Sequence, residues 1–67
     1  MITKEDKVYL INYKIDFWRE RLQESNNSVG TLESHGDQIK IDMNNQDIID
    51  YSNIIMSLEN ILDELNA

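Results

Sequence analysis

Catalysis and tight ligand binding need a positioned nucleophile, base, metal ligand or phosphate cradle, and few residues of this chain could supply one. The single histidine, His35, stands in the run Ser34-His35-Gly36-Asp37, whose composition is that of a turn. A histidine there suits the negative end of a preceding helix better than a reacting centre. Carboxylates are more numerous. Asp16, Glu20 and Glu24 recur every four residues, which on a helix makes an acidic ladder able to hold a divalent cation weakly or to meet a basic partner. Such ladders are more often solvated faces, because like charges at this spacing cost little when exposed. Carboxylate metal centres in helical bundles add an inward Glu-x-x-His pair, which this chain lacks. There is no Cys, so neither a disulfide framework nor a thiolate cluster can form. Gly-rich phosphate loops and Ser-His-Asp arrangements are also missing. We expect no enzymatic activity, no cofactor and no bound metal.

Charge narrows the partners. Six Lys and Arg stand against thirteen Asp and Glu, a formal charge of -7, so a nucleic-acid backbone is repelled unless the cations cluster, and no clustering is expected. Direct nucleic-acid binding is not expected. Apolar runs such as Leu10-Ile11 and Ile54-Ile55-Met56 are too short for a membrane span or a signal-peptide core, which points to a soluble, cytoplasmic chain. Ile and Asn together make up 18 of the 67 residues, a bias associated with products of AT-rich microbial or phage genomes.

The elements that must position any site are legible from the breakers and the apolar spacing. Pro is absent and the only glycines are Gly30 and Gly36, so long helices are the natural outcome. Thr3 and Asp6 have the spacing of a capping box, which starts a first helix near Lys4. From there Val8, Ile11, Ile15, Trp18 and Leu22 step by three and four, a heptad seam that continues through Ser25, Val29 and Leu32. A second seam runs through Ile41, Asn44, Ile48, Tyr51, Ile55, Leu58, Leu62 and Leu65. Gly36 can take the left-handed conformation that closes one helix, and Asp37 can cap the next. The chain is therefore expected to be a single all-α domain over 1–67, an antiparallel two-helix hairpin with helices at about 4–33 and 38–65 and a turn at 34–37. Folding about that turn pairs seam positions whose residue numbers add to 73, with the midpoint between Gly36 and Asp37. The hairpin core is then Val8, Ile11, Ile15, Trp18 and Leu22 against Tyr51, Ile55, Leu58, Leu62 and Leu65.

One stretch resists. Ser25-Asn26-Asn27-Ser28-Val29-Gly30-Thr31 is made of weak helix formers, so the first helix is expected to fray or kink there. The competing arrangement is a loop from Ser25 to Asn44 in which Ile39-Lys40-Ile41-Asp42-Met43 is extended, since its apolar residues alternate. It ranks second, because a structureless connection of roughly 20 residues is uncommon in a compact domain.

Further apolar residues lie off the seam. Tyr9, Leu10, Tyr13 and Phe17 do so on the first helix, and Ile49, Ile54, Met56 and Ile61 on the second. Lys14 and Arg21 share a side with Ile54 and Ile61 and could drape their stems over them, but that leaves Leu10, Phe17, Ile49 and Met56 unexplained. A chain of this length buries only about 60% of its unfolded surface by folding alone. We therefore expect a homo-oligomer, a dimer or trimer of hairpins forming a four- or six-helix bundle. Its expected role is protein–protein interaction, as an assembly chaperone, adaptor or structural accessory. The alternative is a charge mimic, whose acidic face of Asp16, Glu20 and Glu24 occupies the basic groove of a nucleic-acid-handling protein.

Overall fold

The computed structural model describes all 67 residues and contains two helices, α1 (Lys4–His35) and α2 (Gln38–Asn66), packed against each other as an antiparallel hairpin. The start of α1 is fixed by reciprocal hydrogen bonds at 3.1 Å: the Asp6 amide donates to the Thr3 hydroxyl and the Thr3 amide donates to the Asp6 carboxylate. Glu5 and Asp6 also sit where the helix dipole is positive. At the other end Gly36 adopts φ 70°, a left-handed conformation in which its amide reaches the Leu32 and Glu33 carbonyls at 3.1 and 3.2 Å. Asp37 then accepts from the Lys40 amide at 3.2 Å and opens α2. Only Gly36 and Asp37 lie outside the helices here, a tighter connection than the four residues expected, because the glycine cap lets α1 run on through His35.

α1 is continuous over Ser25–Thr31, without the fraying expected there, and Ile39–Met43 is helical, not extended. Packing against α2 offsets the weak helix formers, since Ser25, Ser28 and Val29 are partly buried. The Ser28 hydroxyl donates to the Glu24 carbonyl and the Ser34 hydroxyl to the Gly30 carbonyl, both at 2.9 Å, which satisfies the hydroxyls without strengthening the helix. Across the seam, the Asn44 side-chain amide donates to the Ser25 carbonyl at 2.9 Å and ties α2 to the middle of α1.

The rod measures 50 × 16 × 14 Å, in keeping with roughly 48 Å for a helix of α1's length. All sixteen seam residues are buried or partly buried. Off the seam only Ser28, Asp37, Ser52, Ile54 and Glu59 escape full exposure. Ile15 and Ile55 alone are closed off from solvent, at 3% and 8% exposure, since two rods in contact shelter a line and not a volume. The Trp18 indole lies 5.4 Å from the Tyr51 ring, one turn nearer the hairpin tip than Ile55, the residue at its own height. A large ring spans two layers, so the layers interlock where small side chains would merely stack. Phe17 meets the same indole edge-on at 5.2 Å. No helix is long and apolar enough to cross a membrane.

Candidate interaction surfaces

Heptad lettering orders what the seam leaves outside. With Val8, Ile15, Ile55 and Leu62 at a and Ile11, Trp18, Tyr51 and Leu58 at d, the e rows of an antiparallel pair share one side of the seam and the g rows the other. One contact fixes this arrangement: Arg19 and Glu59, both at e, form an ion pair at 3.0 Å.

The eight off-seam apolar residues divide between these sides. Leu10, Phe17, Ile54 and Ile61 lie at c or g, beside the g rows, while Tyr9, Ile49 and Met56 lie at b, beside the e rows, and Tyr13 points straight outward at f. Seven of them are 43–70% exposed, and Ile54 is partly buried. Ile39 and Met43 near the turn are exposed as well, at 73% and 64%. Draping does not hide the g side. The Arg21 guanidinium sits over the Phe17 ring, 5.1 Å from its centroid, and Ile61 stays 46% exposed.

The heptad also sorts the charges. Four of the six cations, Lys7, Lys14, Arg21 and Lys40, occupy g positions and so line one side, although they are scattered along the sequence. The seven-residue step aligns the first three, and folding back at Gly36 adds Lys40. The outward b, c and f positions carry eight acids and no cation. Asp16, Glu20 and Glu24 belong to this outer surface and are all exposed. They do not gather into a cation-holding group, because each step of four rises about 6 Å along the helix.

Two depressions mark the surface. A hollow of about 530 Å³ at the open end, on the e side, is lined by Lys4, Glu5, Val8, Tyr9, Asn12 and Asn66. A smaller one of about 270 Å³ lies on α1 alone, between Tyr13, Asp16, Phe17 and Glu20. Each sets an aromatic side chain among charged ones. His35 is exposed in the last turn of α1, remote from both. No protein-family model, curated protein or solved structure matches this sequence.

Proposed function

We propose that the protein is a self-associating helical hairpin that acts in the cytoplasm by protein–protein contact, as an assembly chaperone, adaptor or structural accessory. One observation carries this reading. The chain has a mass of 7.9 kDa and exposes 5218 Å². A compact monomer of that mass exposes about 4,400 Å². The surplus of about 800 Å² is what one partner contributes to a standard interface. The exposed surface holds Leu, Ile, Met and aromatic side chains, each of which stabilises by roughly 1.5 to 3 kcal/mol when fully covered, so association contributes on the scale of the whole fold. Apolar rows on two sides of the seam leave room for a copy and a partner at once. Sedimentation across the micromolar range should give the mass of two or three chains, with helix content falling on dilution. The mass of a single chain with a cooperative melt would overturn the reading.

The outer surface favours charge mimicry as a second reading, since eight acids there face solvent without an interspersed cation. Under it, affinity for a captured partner falls by orders of magnitude from low to high salt, and Glu20→Lys weakens binding without disturbing the fold. Apolar docking is nearly indifferent to both.

A further inference from the structure

The side of the rod opposite the Arg19–Glu59 pair differs in charge from the rest of the molecule. Lys7, Lys14 and Arg21 follow one another along α1 at intervals of about 10 Å. The one ion pair of the molecule lies on the other side, so all three charges are unpaired. They form one wall of the groove between the helices, and Ile54 and Ile61 form the other. Beyond the cations stand Leu10 and Phe17, 48% and 43% exposed and nearly level with Ile61 and Ile54. Arg21 is drawn outward over Phe17, toward the edge of the groove.

The geometry points to an amphipathic helix of another protein as the occupant, its apolar stripe on Ile54 and Ile61 and a row of carboxylates along one edge meeting Lys7, Lys14 and Arg21. Charge complementarity selects it. The outward b, c and f positions together hold eight acids and no cation, whereas the g positions hold four cations and one acid, Asp47, so a carboxylate-bearing helix is attracted most on the g side. A second copy docking by the same side with α1 against α1 would set one cationic row against another. The three cations span roughly 21 Å, the length of a helix of about 14 residues, and a third helix there would complete a three-helix bundle. This inference goes beyond self-association, which the side bearing Tyr9, Ile49 and Met56 can support separately.

The test uses two labelled peptides of about 18 residues, long enough to form a helix when bound. One has a Leu stripe edged by Glu, and its twin has Lys in place of each Glu. Fluorescence anisotropy against the full-length protein at low salt should show the Glu-edged peptide binding about tenfold or more tightly, as several exposed charge pairs acting together allow. The doubly substituted protein Lys14→Glu, Arg21→Glu should reverse the preference while its circular dichroism and sedimentation mass stay those of the wild type. Should it lose helix content, Lys14→Gln with Arg21→Gln takes its place, and the preference should then vanish. Equal affinity for the two peptides, binding of neither, or a preference that survives the substitutions would overturn the proposal. A fall in the mass of the protein alone on substitution would also overturn it, since the occupant would then be a second copy. A wild-type protein that sediments as one chain yet prefers the Glu-edged peptide supports this inference while removing self-association.

Discussion

Gly30→Ala and Gly36→Ala make the same chemical change and should move stability in opposite directions. Gly30 lies inside α1 at an exposed position, and a Cβ built there meets nothing within 4 Å. Alanine therefore fits without strain, and the helix gains about 0.8 to 1 kcal/mol from the restricted backbone. Gly36 has equally open surroundings, but its φ of 70° is the left-handed conformation, which disfavours an L side chain by about 1 to 2 kcal/mol. For a domain of this size 1 kcal/mol moves Tm by about 4 to 8 °C, so Gly30→Ala should raise the midpoint by that amount and Gly36→Ala should lower it. The assay is thermal melting by circular dichroism at one fixed protein concentration, because association makes Tm concentration-dependent. A Gly30→Ala protein no more stable than the wild type would refute a continuous helix through Ser25–Thr31. A Gly36→Ala protein of unchanged or higher Tm would refute the hairpin turn.

Ile55→Asp should abolish most of the helix signal, since Ile55 is 8% exposed and the change removes its burial and places a carboxylate in the seam. At about 0.05 to 0.15 kcal/mol per residue the chain has only some 3 to 10 kcal/mol to lose; full helix content in this variant would contradict the packing described. Asn44→Leu replaces a seam residue whose side chain hydrogen-bonds to the facing helix with an apolar one, and should raise Tm while loosening the choice of register or oligomer. A lower Tm would mean that the Ser25 contact stabilises by more than an apolar layer would. Arg19→Ala should shift stability by less than about 1 kcal/mol, because both ends of its ion pair are exposed, at 59% and 46%. A larger loss, measured by urea denaturation, would show the pair to be part of a wider network.

Much of the architecture is carried by local signals. The three-and-four stepping of Val8, Ile11, Ile15, Trp18 and Leu22 specifies a helical seam because only a helix returns those side chains to one side. Thr3 with Asp6, and Gly36 with Asp37, mark helix ends through bonds made within a few residues of each other. The middle of the chain was harder to read. Propensity there argues against helix, and what overrules it is contact across the seam, where Ser25 and Val29 are partly buried and the Asn44 side chain bonds to the Ser25 carbonyl. Nothing about Asn44 in isolation distinguishes a seam donor from a surface amide.

The surfaces divide in the same way. Sequence alone determined that the chain is acidic, lacks the common reactive constellations and carries more apolar residues than two seams can use. The tertiary structure decided which of those residues share a side and which cations stand among them. A heptad letter becomes a place on the molecule only when a second helix defines what faces inward, and the Arg19–Glu59 contact supplies that reference. Cations seven residues apart on α1, and Lys40 on α2, come to share one side because the chain reverses at Gly36, where a single left-handed residue brings distant segments side by side.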